Sequence, residues 1–242
     1  MVLGHAAALM RIFVDPATLA AGALVIRGDE HHYLSRVRRA RTGDRVELVD
    51  GAGRRAAAVI VRMADAETEL AVDAPEAIIA QAPHIRALLP LIKGDRMELC
   101  LEKLVEVGCD EIVVWPAARA VVKLDADRRE SRLAKFASAI QAASRQSGRA
   151  QIPEIRWADS LASAIADLPS GLRLVLDPTS DTPLDAASAA DVTVISGPEG
   201  GLSPAELEQL AAFTPVGLGP RILRAETAPV IATAIIRAQT RT

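Results

Sequence analysis

The strongest constraint on this chain is a change of pattern near residue 84. Before it, β-rich segments are short and separated by turn signals. Arg11–Val14, Arg45–Leu48, Arg55–Val61 and Thr68–Val72 read as strands, with turns at Thr42-Gly43-Asp44 and Asp50-Gly51-Ala52-Gly53. Several short strands close most economically as a small β-barrel. His31–Arg39 reads as one short helix between strands. After residue 84, apolar runs alternate with helical patterns, which predicts an α/β domain built on a mainly parallel sheet covered on both faces. The predicted division is a β-barrel over 1–75, a proline-bounded linker over 76–83, and an α/β domain over 84–242.

In the second region, His84–Ile92 reads as a buried strand followed by a helix through Val107, stopped by Gly108. Ile112–Trp115, Arg173–Leu176, Val192–Ser196 and Pro215–Leu218 read as further strands. Arg128–Gln146 reads as a polar helix and Glu226–Gln239 as the closing one. Pro204–Ala212 carries a full start signal, with Ser203 as N-cap, Pro204 at the first position and Glu206 at the third. Met97, Leu101, Leu104 and Val105 form a helical stripe that reads as core.

Composition excludes several classes of function. The chain has three Phe, two Trp and one Tyr in 242 residues, so stacking bases on rings cannot be its main mode of nucleic-acid binding. Cys100 and Cys109 have no Cys or His partner at ligand spacing, which excludes a zinc ribbon and a disulfide scaffold and leaves no metal site; both read as buried and inert. Apolar runs such as Leu88–Ile92 are too short to span a bilayer. The Ala6–Met10 stretch has no basic residue before it and reads as an extension or alternative start rather than a signal peptide, so the expected compartment is the cytoplasm.

The net charge of -3 conceals an uneven distribution. Arg36, Arg38, Arg39, Arg41 and Arg45 face one acid, Asp44, and residues 117–150 carry eight Lys and Arg against three Asp and Glu. Such islands are either solvated faces or, in an otherwise acidic chain, a surface for a polyanion. His31 and His32 read as capping or packing residues.

Two glycine-bearing loops follow the last two strands: Ser196-Gly197-Pro198-Glu199-Gly200-Gly201, and Leu218-Gly219 through Thr227. They are either tight turns or a ligand cradle at strand carboxyl ends. A phosphate cradle is disfavoured. Neither loop has a G-x-x-x-x-G-K-[ST] or G-x-G-x-x-G pattern, and Glu199 would repel phosphate. Backbone amides, small residues and a carboxylate suit a nucleoside-like ligand carrying positive charge.

These residues resemble the ribosomal RNA small subunit methyltransferase E family, within the SPOUT superfamily of S-adenosylmethionine-dependent methyltransferases. The matching pieces run through almost the whole chain: Arg11-Ile12-Phe13-Val14; Glu30-His31-His32 leading to Arg38 and Gly43-Asp44; Lys93 to Glu98; Glu102 to Gly108; Gln146 to Arg149; Gly197 to Gly201; and Leu218-Gly219 to Ala228. The last two are the most specific. The resemblance implies a PUA-like RNA-binding barrel, a SPOUT domain with a deep trefoil knot, a homodimer, and methylation of uridine N3 in small-subunit rRNA. It places Leu176, Gly197, Glu199, Gly200, Gly201, Leu218, Gly219, Ile222 and Leu223 around S-adenosylmethionine. One departure is that Ala142 and Arg145 stand where the family commonly has acids.

Uracil N3 is a weak nucleophile until its proton leaves, and the resulting charge spreads onto two carbonyl oxygens. Arg224 is the candidate for stabilising that charge, or else forms a structural salt bridge. Glu226 is the candidate for accepting the proton or holding Arg224, or else caps the helix that follows. N3 lies on the pairing edge, so the base must be unpaired or flipped out. The expected RNA contacts are Arg11, Arg36, Arg38, Arg39, Arg119, Lys123, Arg145 and Arg149. The rival readings are a SPOUT methyltransferase acting on another RNA base and a non-catalytic RNA-binding assembly factor.

Overall fold

Alternating burial and turn glycines build the first unit of the computed structural model, which describes residues 10–121 and 126–240. Lys123 and the residues 6–9 of the N-terminal apolar stretch lie outside the described residues. Strand β1 (Met10–Phe13) pairs in parallel with β3 (Arg45–Val49). Strand β2 (Gly22–Arg27) leads into α1 (Gly28–His32) and a π-helical turn, Tyr33–Val37. Strands β4 (Arg54–Met63) and β5 (Glu67–Val72) complete the sheet in the order β1-β3-β4-β5-β2. The ladders among the described residues do not join β1 to β2, so closure of the expected barrel is not made by backbone pairing there. Ile12, Leu34, Leu48, Ile60 and Leu70 are at most 1 % exposed at its core. Each stabilises the unit by about 1.5–3 kcal/mol.

The expected linker begins with order. Glu76–Ala77 is a short strand, β6, laid on β4 opposite Arg54 and Arg55. The predicted single block over 84–242 also divides differently. Residues 144–152 group with residues up to 80, and residues 81–143 group with 153–242. The reason is hydrogen bonding: Ile152 N–H donates to Gly51 O (3.0 Å), and Gln151 bridges Gly51 and Ala52.

The second unit alternates strand and helix. In chain order it contains β7 (His84–Pro90), α2 (Asp95–Val107), β8 (Glu111–Trp115), α3 (Ala126–Ser147), β9 (Glu154–Trp157), α4 (Leu161–Ala166), β10 (Leu172–Leu176), β11 (Asp191–Ile195), α5 (Pro204–Gln209), β12 (Thr214–Val216) and α6 (Ala228–Gln239). The last turn of α3, from Ser144 to Ser147, belongs to the first unit. The six strands form a parallel sheet ordered β12-β10-β11-β7-β8-β9. One face is sealed by a cluster that includes Leu88, Trp115, Ile195, Leu161 and Leu210, the other by one that includes Ile85, Val192, Val194, Ala232 and Ile236.

Local signals are realised where they were strongest. Gly108 ends α2 in the left-handed region, with φ of 102°. Its carbonyl accepts from Arg237 Nε (3.0 Å) and Nη2 (2.7 Å), which fastens α6 to the end of α2. Met97, Leu101, Leu104 and Val105 are buried, as are both cysteines. His31 packs inside the first unit against Thr68 Oγ1 (2.8 Å), while His32 is exposed.

Candidate active site

Parallel strands deliver their carboxyl ends to one edge of the sheet, and the order β11-β7 marks where the chain reverses its direction of growth. At that edge the loops after β10, β11 and β12 and the first turn of α2 surround a chamber of about 870 Å³. Leu176, Gly197, Glu199, Gly201, Leu218, Gly219, Ile222, Leu223, Arg224 and Glu226 all line it. So do Arg96, Asp177 and Ser196, to which the sequence reading gave no role. Arg96 was within reach of the same strand-end rule, because it opens the helix after the central strand.

The first loop is held from several sides. Gly201 N–H donates to Pro198 O (2.8 Å), closing a turn that Gly201 enters at φ of 72°. Ser203 caps α5 by accepting from Glu206 N–H, and Glu206 Oε2 accepts from Ser203 N–H (2.7 Å), completing a capping box. Glu206 Oε1 accepts from Ala118 N–H (2.7 Å). Gly200 does not line the chamber. A β-carbon there would sit 3.1 Å from Arg119 Cβ. Arg119 Nη1 in turn donates to Gly200 O (3.3 Å) and Leu202 O (3.2 Å), so this arginine buttresses the loop.

Burial raises the Glu206 pKa, but the Ala118 and Ser203 donors outweigh it and hold the carboxyl below its usual range. Glu206→Gln should therefore lower stability by about 1–3 kcal/mol, because its amide NH₂ would face one of two backbone donors. The carboxylate's contribution is full above the ordinary carboxylate pKa and disappears as pH falls through the depressed folded value. Thermal unfolding of the wild type and the variant should therefore differ at neutral pH and converge in acid.

The second loop leaves β12 through Gly217, whose N–H donates to Thr182 O (2.9 Å). Gly219 has φ of 111°, and Ile222 is 86 % exposed. The Arg224 carbonyl accepts from Thr227 (2.9 Å) and Ala228 (3.0 Å), turning the chain into α6. The Arg224 side chain is exposed and has no salt-bridge partner among the described residues. Thr227, not Glu226, occupies the N-cap position of α6. The Glu226 side chain is 11 % exposed; its Oε1 lies 3.9 Å from Arg96 Nε. Its Oε2 is buried without a hydrogen-bond partner among the described residues, as is Ser196 Oγ.

Three cations (Arg96, Arg221, Arg224) and three carboxylates (Asp177, Glu199, Glu226) line the chamber. Such a mixed wall suits a ligand carrying both signs of charge and does not suit a polyphosphate. Among the described residues no group of three or more His, Cys, Asp or Glu is arranged to hold a metal, and no helix is long and apolar enough to cross a membrane.

Of the expected RNA contacts, Arg36, Arg38 and Arg39 are exposed after α1, and Arg39 adopts φ of 52°, rare for a residue with a side chain. Arg11 pairs with buried Glu47 (2.5 Å), and Arg145 pairs with Glu30 while lying over the Phe13 ring. Burial pushes the Glu30 carboxyl up, and the Arg145 charge opposes it. Arg149 is half-buried near the turn at Gly148.

The RNA methyltransferase domain family matches residues 80–237, and the RNA methyltransferase PUA domain family matches residues 26–68. A ribosomal RNA small subunit methyltransferase E from Mycobacterium bovis is 30% identical over 233 residues, covering 92% of this chain and 89% of that protein. The crystal structure of a protein of that name from Neisseria gonorrhoeae, bound to S-adenosyl methionine, superposes with a TM-score of 0.82 at 26% identity, over 96% of this chain and 98% of that one. A methyltransferase from Legionella pneumophila, in complex with the same cofactor, gives 0.81 at 27% identity over 95% and 97%. On these matches, the chain belongs to the ribosomal RNA small subunit methyltransferase E family.

Proposed function

We propose that this chain is an S-adenosylmethionine-dependent methyltransferase that modifies N3 of a specific uridine in small-subunit (16S) ribosomal RNA. The observation that carries the reading is the mixed-charge chamber at the strand carboxyl ends, with a salt-bridge-free arginine, Arg224, and a buried carboxylate, Glu226, on one loop.

The residues fit the methyl donor. The chamber is large enough for a nucleoside with an amino-acid tail, and Ser196 Oγ on its wall is buried with no hydrogen-bond partner among the described residues. Leu176, Gly197, Glu199, Gly201, Leu218, Gly219, Ile222 and Leu223 would hold it, with Gly200 keeping the first loop close against Arg119. Bound there, S-adenosylmethionine supplies an electrophilic methyl group on a sulfonium. The apolar walls, including Val175, Leu210 and Phe213, exclude water and so favour a step in which opposite charges cancel. Arg224 stabilises the negative charge that forms on the base, as donors in an oxyanion hole do. Glu226 Oε2 accepts the N3 proton.

The remaining parts of the reading follow the family. The second unit is threaded as a trefoil knot, an exception to the rule against threaded loops; the close passage of residues 177–182 across Gly217 supports it. The working form is a homodimer in the cytoplasm. The phosphate contacts are Arg11, Arg36, Arg38, Arg39, Lys123, Arg145 and Arg149, with Arg119 beside the first loop.

Mass mapping of rRNA from a strain deleted for this chain, with and without its return, tests the reading. One small-subunit uridine should lose a methyl group on N3 and regain it. Methylation of another base, or an unchanged map, would overturn it.

A further inference from the structure

Among the described residues, Arg96 is the cation of the chamber that a helix presents and that lies within ion-pair distance of a carboxylate. It is the second residue of α2, just after the central strand β7. Its Nε faces Glu226 Oε1 at 3.9 Å, while its side chain remains 48 % exposed. Arg96 and Cys100 are one turn apart and share a face of α2. Burial pushes the Cys100 thiol up, with smaller contributions from Cys109 and then Glu226. Arg221, by contrast, is an exposed loop residue with no carboxylate partner among the described residues.

The pairing divides the work of Glu226 between its two oxygens. Oε1 faces Arg96, and Oε2 is buried at the wall with no donor among the described residues. An arginine whose Nε faces a carboxylate keeps its terminal nitrogens for other acceptors. Uracil places a carbonyl oxygen on each side of N3, so two acceptors gain charge together when the proton leaves. Arg224, on the loop before α6, is placed to serve one of them. The other is open to a second cation from a different element of the chamber wall.

We propose that Arg96 is a second catalytic cation facing the target base, oriented by Glu226, that takes the charge developing on the uracil oxygen not served by Arg224. The inference rests on the uridine N3 reading. The N3–H bond breaks and the proton passes to Glu226 Oε2. N3 then bonds the methyl group, whose bond to sulfur breaks with its electron pair left on a neutral thioether. Protonation removes the anionic partner of Arg96 at the moment the base becomes anionic. The guanidinium therefore exchanges a carboxylate for the uracil anion and is not left unpaired.

The test uses the full chain, its rRNA substrate and two variants, Arg96→Ala and Arg96→Lys. Titration calorimetry should show that S-adenosylmethionine still binds both variants, with a loss of affinity much smaller than the loss of transfer. Single-turnover transfer at neutral pH should fall about 10²-fold or more in Arg96→Ala. The rising limb of its pH–rate profile should move to higher pH, because the base anion has lost a stabilising cation. Added guanidinium ion should restore part of the rate. Arg96→Lys, which keeps charge and helix propensity, covers the case in which the alanine variant fails to fold; it should lose about tenfold or more, since a compact ammonium lacks the fork. Transfer within threefold of wild type in both variants, an unmoved pH limb, or a loss of donor affinity as large as the loss of transfer would overturn the proposal. Absence of 3-methyluridine from the wild-type control would instead mark failure of the uridine reading, and this inference would fall with it.

Discussion

Arg224→Ala is expected to slow methyl transfer about 10²- to 10³-fold while S-adenosylmethionine still binds. The turn that carries Arg224 is made by its carbonyl, which accepts from Thr227 (2.9 Å) and Ala228 (3.0 Å), and alanine keeps that carbonyl. The side chain is exposed and forms no salt bridge among the described residues, so its removal costs the fold little. What is lost is a guanidinium at the wall of a chamber whose apolar lining strengthens every charge interaction. Calorimetric titration of the donor, paired with single-turnover transfer to rRNA, separates the two effects. If the variant instead loses donor affinity or unfolds, Arg224 is structural and the mechanism loses its stabilising cation.

Gly217→Ala is expected to cost about 3 kcal/mol or more and to weaken donor binding with it. A β-carbon at this position would lie 2.1 Å from Ser180 O, a contact with backbone that no rotamer change relieves. The two segments meeting there are stitched by Asp177 N–H to Val216 O (3.0 Å), Gly217 N–H to Thr182 O (2.9 Å) and Ser180 Oγ to Pro215 O (3.0 Å). Forcing them apart moves Asp177 and Leu218, both on the chamber wall. The melting temperature should fall by about 6–12 °C, and donor affinity should fall in parallel. A variant that melts with the wild type would mean that the close passage carries no stability.

How much of this was legible beforehand depends on the range of the physics involved. The start of α5 was readable because Ser203, Pro204 and Glu206 act within one turn, and Gly108 ended α2 for a reason confined to its own φ. The second half of the sheet was readable because fully buried parallel strands are short runs of apolar residues. Strand β9 and helix α4 were missed: Glu154–Trp157 is half polar, and Leu161–Ala166 is a single short stretch. Nor was the inward face of β4 readable. Its Ala56, Ala58 and Ile60 are buried while Ala57, Val59 and Val61 are exposed, and all six are apolar. The two chamber loops were visible as glycine patterns, but Arg96 was not, since its partner Glu226 lies far along the chain and nothing local records the pairing.

By itself, then, the sequence determined the more apolar strands and the longer helices, the stop of α2 and the start of α5, and the two loops where ligand chemistry belongs. Each of these rests on forces acting between residues a few positions apart. The tertiary structure alone decided which basic residues line the chamber, which pair with carboxylates, as Arg11 does with Glu47 and Arg145 with Glu30, and which brace backbone, as Arg237 does at Gly108. A guanidinium looks the same in any sequence. Its role is set by the charge within a few ångströms of it, and only the folded chain brings that charge there.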